Sequence, residues 1–234
     1  MWQHILVTIY IIIAMVLSIQ TKKLDVRASF TGGILAFIIY AGCGFVGISL
    51  LTTFFLLGTL ATVWKFEKKQ QLHLAEENHG RRTAGQVVAN TGVAGLLGFL
   101  SLQLPNEARI LTLMLAASYS SALSDTLSSE MGNLYGKTYY NILTLKRDIK
   151  GLNGVVSLEG GVFGLLGSVI IATVYIIFTG WQKEFWFIIV AGTIGNLFDS
   201  VLGASVERRG LVGNNAVNIL NTAIAALGMF LLIQ

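Results

Sequence analysis

The chain of 234 residues is short of charge, cysteine and proline. Asp, Glu, Lys and Arg make up 12% of it, where a soluble domain of this length carries about a quarter. That deficit, with 54% hydrophobic residues and a mean hydropathy of +0.70, excludes a water-soluble globule and implies an integral membrane protein. The single cysteine, Cys43, has no partner, which excludes an intrachain disulfide. One proline among 26 glycines suits tightly packed spanning helices. No Lys or Arg precedes the first apolar run and no small-residue cleavage site follows it. Residues 1–19 therefore read as a retained first helix, not a signal peptide. His73 and His79 flank Glu76-Glu77 without the HExxH spacing, so this polar stretch reads as a solvated loop. A net charge of +4 does not suggest nucleic acid as a partner.

What is there is mostly apolar run. Runs of about 17–25 residues, enough to cross a bilayer, fall near 3–20, 29–47, 48–64, 84–102, 108–124, 155–179, 185–204 and 213–233. Backbone amides in lipid must be bonded within the segment, and period-two alternation is absent, so these are helices and not barrel strands. The second and third runs have little polar sequence between them; Gly42, Gly44 and Gly47 supply a tight turn. The expectation is one polytopic, all-α membrane domain over 1–234 with about eight spans. With the N-terminus outside, the inner loops hold 14 basic residues and the outer loops only Arg109 and Lys183. The positive-inside rule predicts such a split. It places both termini outside and the charged loops in the cytosol, in what reads as a prokaryotic cytoplasmic membrane.

The densest polar stretch runs from Ser124 to Gly161 and holds Asp125, Glu130, Asp148 and Glu159, four of the 12 carboxylates. Acids at the end of a spanning helix are costly unless paired, hydrated or metal-bound. On a regular helix Asp125 and Glu130 diverge by about 140°. Either the helix breaks, and Gly132 offers a break, so that both reach one ion, or the two serve separate ions. Carboxylates with few nitrogen or sulfur neighbours suit Mg²⁺. Lys146, Arg147 and Lys150, followed by Gly151-Leu-Asn153-Gly154, read as an anion site at the start of a helix. The Walker pattern GxxxxGK[ST] is missing. Asp199 lies near the inner end of the seventh run, and Asn214, Asn218 and Asn221 form one stripe on the eighth. Trp64, Trp181 and Trp186 fall where interfacial belts are expected.

Some fragments recur at an offset of 128. Ser29-Phe-Thr-Gly-Gly33 matches Ser157-Leu-Glu-Gly-Gly161. Arg81-Arg82 before Gly85 and Asn90 matches Arg208-Arg209 before Gly213 and Asn218. Either the chain is duplicated, with parallel halves 1–102 and 108–234, or a glycine-rich chain repeats by chance.

Several stretches together resemble a family of integral membrane proteins that includes plant phytyl-phosphate kinase. They are Ala28-Ser-Phe30, Gly80-Arg-Arg82 with Gln86-Val-Val-Ala-Asn90, Ser124-Asp-Thr-Leu-Ser-Ser-Glu-Met-Gly132, Gly151-Leu-Asn-Gly-Val-Val-Ser157, Asp199-Ser-Val-Leu-Gly-Ala204 and Asn214-Asn-Ala-Val-Asn218. The chain departs from the family at Leu127, where Trp is common, and at Leu152 and Val155, where Thr and Gly are common. The spacing of Asp125-Thr, Ser129-Glu130, Gly132, Gly136-Lys137 and Ser157-Leu-Glu-Gly160 is also similar to the CTP-dependent polyprenol and dolichol kinases.

The resemblance implies phosphoryl transfer from a nucleoside triphosphate, CTP, to an isoprenoid alcohol or its monophosphate. Asp125, Glu130 and Asp199 would hold Mg²⁺. Lys146, Arg147, Asn153, Glu159, Arg81 and Arg82 would serve the phosphates, and Asn214 and Asn218 the acceptor. The rival reading is a transporter or lipid flippase. Asp199 and the repeat favour it; charge gathered at one face counts against it.

The orientation is testable. In a background lacking Cys43, a cysteine placed in the 65–82 loop should resist an impermeant thiol reagent in intact cells, while one at 104–106 should react. Labelling of the 65–82 loop from outside would reverse the topology.

Overall fold

A computed structural model describes residues 2–75 and 80–234. Glu76, Glu77 and His79 of the polar loop lie outside the described residues; His73 is exposed. The chain is all-α. Its helices are α1 (Trp2–Gln20), α2 (Val26–Val63), α3 (Phe66–Gln71), α4 (Ala84–Gln103), α5 (Ala108–Tyr135), α6 (Leu158–Thr179), α7 (Glu184–Leu202) and α8 (Asn214–Leu232). A small antiparallel pair, β1 (Tyr140–Asn141) and β2 (Val155–Val156), closes the loop between α5 and α6 in the register Tyr140↔Val156. Among the described residues six helices are long and apolar enough to cross a membrane: α1, α2, α4, α6, α7 and α8.

The 38 residues of α2 would reach about 57 Å if straight, nearly twice a hydrocarbon core of about 30 Å. They are not straight. Gly44 leaves helical geometry at φ 60°, ψ −148°. A Cβ on Gly47 would lie 2.8 Å from Ile39 Cγ2. Residues eight apart on a continuous helix are about 12 Å apart, so the chain folds back here. The arms 26–43 and 45–63 lie side by side. Gly42 abuts the Gly98 carbonyl of α4, and Ser101 Oγ donates to Gly42 O at 2.8 Å. The expected glycine turn is present, and each of its glycines has a job: reversal at Gly44, close approach at Gly42 and Gly47.

α5 is the axis of the bundle. Every residue from Leu115 to Ser124 is buried, and the helix packs against α2, α4, α6, α7 and α8. A helix enclosed on all sides needs no lipid-facing side chains. That is why α5, rich in Ala and Ser, is not apolar enough to be counted with the six. α1 is the opposite case: Val7, Ile11 and Ser18 are its buried residues, and Leu6, Ile12, Ile13 and Leu17 face outward.

Glycines on α6 and α7 meet the small side chains of α5, as close helix approach requires. A Cβ on Gly167 would stand 3.1 Å from the Leu123 carbonyl oxygen. Gly192 faces Ser120, and Gly195 faces Ser121 and, at 2.9 Å, the carbonyl oxygen of Asn221. Ser120 Oγ donates to Ile188 O across the same seam at 3.1 Å.

The loops gather at two ends. Arg82 N donates to Lys23 O, and Asp25 N to Arg82 O. Trp64 Nε1 donates to Tyr135 OH, and Arg208 pairs with Asp148. These contacts join all four basic loops at one end. At the other, Arg109 Nη2 donates to Gln182 and Glu184, each at 2.8 Å. The two members of one repeated fragment take different places. Ser157 caps α6 by accepting from Gly160 N, whereas Ser29 lies inside α2 and donates to Met15 O.

The α5–α7 seam predicts a stability effect. Gly195→Leu forces a side chain into Ser121 and a backbone carbonyl and should destabilise the bundle by about 1–3 kcal/mol. Gly228→Leu, whose Cβ meets nothing within 4 Å, is the control. Equal melting temperatures in detergent would show that the seam is not close-packed.

Candidate functional site

The end that carries the basic loops also carries a polar cavity of about 200 Å³. α5 contributes Asp125, Ser128, Ser129 and Asn133; α7 contributes Asn196, Asp199 and Ser200; α4 contributes Gln86 and Asn90; α8 contributes Asn214 and Asn218. The turn from Gly151 to Ser157 closes one side, and Arg82, just before α4, another. Three helices begin here, and helix N-termini favour negative charge. α4 is capped by Thr83, with Gln86 completing a capping box, and α6 by Ser157. α8 starts after Gly213 with no side-chain cap.

Asp125 and Asp199 lie within hydrogen-bonding reach of each other, both half-buried. Like charges this close repel unless a proton or a cation stands between them. Asn221 Nδ2 donates to Asp199 Oδ2 at 2.5 Å, and Ser121 Oγ donates to Asn221 Oδ1 at 3.2 Å. One amide thus links α5, α7 and α8 and fixes the Asp199 carboxylate. Glu207, on the π-helical turn Gly203–Glu207 that extends α7, acts on both acids electrostatically.

Glu130 has a different neighbour. α5 runs unbroken through Gly132, so Asp125 and Glu130 leave the helix about 140° apart. Gly132 does not break the helix. It admits α6: a Cβ there would stand 3.0 Å from Gly160 Cα. Glu130 borders the cavity but pairs with Lys69, whose Nζ lies 2.5 Å from Oε2. Lys69 is wholly buried and also donates to Ala61 O and Thr62 O, each at 2.8 Å. A cation on the last carbonyls of α2 is well placed. The expectation that Glu130 joins Asp125 and Asp199 on one ion is therefore corrected. Among the described residues no three carboxylate, His or Cys side chains converge as a metal set; what remains is the Asp125–Asp199 pair.

The other expected residues divide. Asn153, Arg82, Asn214 and Asn218 line the cavity. Asn218 Oδ1 is buried with no protein partner. Lys146 and Arg147 do not line it; they are exposed in the loop between β1 and β2. There Asn141 Oδ1 accepts from Leu143 N and Thr144 N, turning the chain outward. Glu159 accepts from Lys137 N at 3.3 Å, and Arg81 Nε donates to Leu24 O at 3.2 Å. The loop is fastened to the π turn by Arg208 Nη1 donating to Asp148 Oδ2 at 2.6 Å. The guanidinium and the Ile149 amide bring the Asp148 carboxyl down to about 2. Gly154, at φ 73°, packs on Ala204 where a side chain would collide. Gln86, Asn90, Asn133, Asn196 and Glu207 are cavity residues that sequence reading did not assign. Asn90 carried a signal in the 128-residue offset that pairs it with Asn218.

A family model described as "Integral membrane protein DUF92" matches residues 9–226. The chain belongs to this family. Among its relatives in the family is Protein VTE6, chloroplastic, of Arabidopsis thaliana, 33% identical over 89% of this chain. The match spans 64% of VTE6, so the chain covers less than two thirds of that relative. Uncharacterized membrane protein MJ0933 of Methanocaldococcus jannaschii is 32% identical over 93% of this chain and 90% of its own length. Protein PGR of Arabidopsis thaliana is 28% identical over 82% of this chain and 75% of its own. No solved structure matches this DUF92 protein.

The buried pair yields a prediction. Lys69→Met takes the ammonium away from the buried Glu130 carboxylate and should cost about 3–5 kcal/mol. Adding Glu130→Gln should restore much of that loss, read as melting temperature. Additive single and double losses would show that the two charges are not coupled.

Proposed function

We propose that this protein is a membrane phosphotransferase. It moves a phosphoryl group from a nucleoside triphosphate, CTP, to an isoprenoid alcohol or isoprenoid monophosphate at the cytosolic face. The observation that carries the reading is the Asp125–Asp199 pair in the wall of a polar cavity at the starts of α4, α6 and α8. The motif resemblance to phytyl-phosphate and polyprenol kinases supports donor and acceptor. We also propose eight crossings, adding α5 and the second arm of α2 to the apolar helices. Both termini would be outside and the cavity on the cytosolic side of a prokaryotic membrane, as the basic split suggests.

Two facing carboxylates fit Mg²⁺, which is bound through one or two acids together with substrate phosphates. When bound, the ion would neutralise and align the donor phosphates. The chain's own residues do the rest. Asn221 holds the Asp199 carboxylate by one oxygen. Arg82 adds positive charge at the cavity wall, and the three helix starts add partial positive charge. Asn153 sits in the turn that closes the site over the phosphates. The unpartnered Asn218 Oδ1 suits a hydroxyl donor, and Asn214 lies one turn earlier on α8. The donor's terminal P–O bond breaks, releasing the nucleoside diphosphate, as a new one forms to the acceptor oxygen; where the acceptor is an alcohol, its proton is released to solvent.

Purified protein should transfer label from a nucleoside triphosphate to a prenyl alcohol or monophosphate in the presence of Mg²⁺. Asp125→Asn keeps the shape of the side chain but removes its charge. Turnover should fall by at least about 10²-fold, on the order of 3 kcal/mol. Melting temperature should hold or rise, since one of two repelling acids is gone. A stable, fully active Asp125→Asn protein would end the metal role of this pair. No transfer from any nucleotide to any prenyl acceptor would end the phosphotransferase reading.

A further inference from the structure

A second cavity, of about 100 Å³, lies between α1, the two arms of α2 and the start of α4. Its walls are mainly apolar, with Met15, Ala36, Leu51 and Phe55 among them, and it is partly open. Gly32 leaves room on its wall, where a Cβ would meet only Val87 Cγ1, at 3.9 Å, whereas Gly33 packs directly against Met15. Two residues, Arg82 and Asn90, line both this groove and the polar cavity. The Arg82 guanidinium lies 5.4 Å from the centre of the Phe54 ring, and Phe54 faces the groove. The change from charge to hydrocarbon therefore happens within one side chain. On its outer side α1 is held by few polar contacts: Tyr10 OH to Thr52 Oγ1 at 2.7 Å and Tyr40 OH to His4 Nδ1 at 3.2 Å.

We infer that this groove binds the hydrocarbon chain of the lipid acceptor, with its polar head at Arg82 and Asn90. The inference rests on the phosphotransferase reading and adds to it the acceptor's seat. A partly open groove lined by apolar side chains between apolar helices suits a hydrocarbon chain. A guanidinium at one end selects an amphiphile with an anionic or hydrogen-bonding head. Continuity with the polar cavity then puts that head, and no other part of the lipid, beside Asp125 and Asp199. A chain held along its length also orients its reacting end, which lowers the barrier by positioning.

Two measurements on the full protein in nanodiscs test this. The first is photolabelling with a twenty-carbon prenyl monophosphate that carries a terminal diazirine. Label should map to α1 and to the facing arms of α2 near Gly32–Ala36 and Leu51–Phe55. Unlabelled twenty-carbon monophosphate should displace it, and excess phosphatidylglycerol should not. Label confined to outward residues such as Ile13 and Leu17, and not displaced, means bulk lipid only and overturns the proposal. The second is the series Gly32→Ala, Gly32→Val and Gly32→Leu. A Cβ on Gly32 meets Val87 Cγ1 at 3.9 Å and nothing nearer, so added carbons grow into the groove. The ratio of kcat/KM for a twenty-carbon acceptor to that for a five-carbon acceptor should fall in steps, by at least about tenfold at Leu. A constant ratio across folded variants overturns the proposal. Displaceable groove labelling in a protein that transfers no phosphoryl group would keep the groove as a lipid seat and reject the phosphotransferase reading instead.

Discussion

Two carboxylates within reach of each other inside a helical bundle set the terms for what surrounds them. Asp125 is on α5 and Asp199 on α7, which run in the same direction. Four residues earlier on each helix, Ser121 meets Gly195. The glycine contact and the acid contact are thus one turn apart on the same seam, and the first fixes the spacing of the second. A side chain at position 195 would part both. Asn221 makes the arrangement three-sided, because its amide bonds Ser121 on one side and Asp199 on the other. The backbone carbonyl of the same residue lies against Gly195. Small residues in the seam are therefore part of the acid site.

α5 carries a second acid, and its fate differs. Glu130 is neutralised by Lys69, which reaches back from α3 and also satisfies two carbonyls at the end of α2. All three ammonium protons are used, so a charge that would be costly to bury alone is accommodated. The difference between the two acids is set by rotation about one helix. Asp125 faces α7, where it meets another acid. Glu130 faces the loop that follows α2, where it meets a base. One is locked into structure and the other is left to the cavity.

Much of this was legible in the sequence, and the rest was not for identifiable reasons. Apolar length and composition announced the membrane helices. The glycines at 42, 44 and 47 announced the fold-back of α2. The helical angle between Asp125 and Glu130 was computable, but reading Gly132 as a break hid its consequence. Glycine in a membrane helix marks close packing as readily as a break, and here Gly160 was the partner. Lys146 and Arg147 looked like phosphate ligands because they stand near Asn153 in sequence. The β1–β2 pairing turns them outward while Asn153 turns in, and a two-residue pairing leaves little trace in composition. Lys69 was hidden in a polar segment beside the exposed Glu67, Lys68 and Gln70; no local pattern tells a lysine that will be buried from one that will not. Arg82 and Asn90 owe their place to the packing of α4 against α8 and α2, a long-range fact that the repeat hinted at without explaining.

The position of the cavity follows from how such a bundle must be wired. Helices that pass alternately up and down place every second N-terminus at the same end. α2, α4, α6 and α8 all start beside the basic loops, and three of those starts border the cavity. Their partial positive charges and the loop cations therefore add at one face. The basic loops and the field that would hold a phosphate lie at the same end of the bundle. The two acids line the polar cavity, which meets the apolar groove at Arg82 and Asn90. A polar donor and an apolar acceptor share no other boundary in a bilayer. The proposed reaction belongs there because there, at Arg82 and Asn90, the walls change from amide and carboxylate to hydrocarbon.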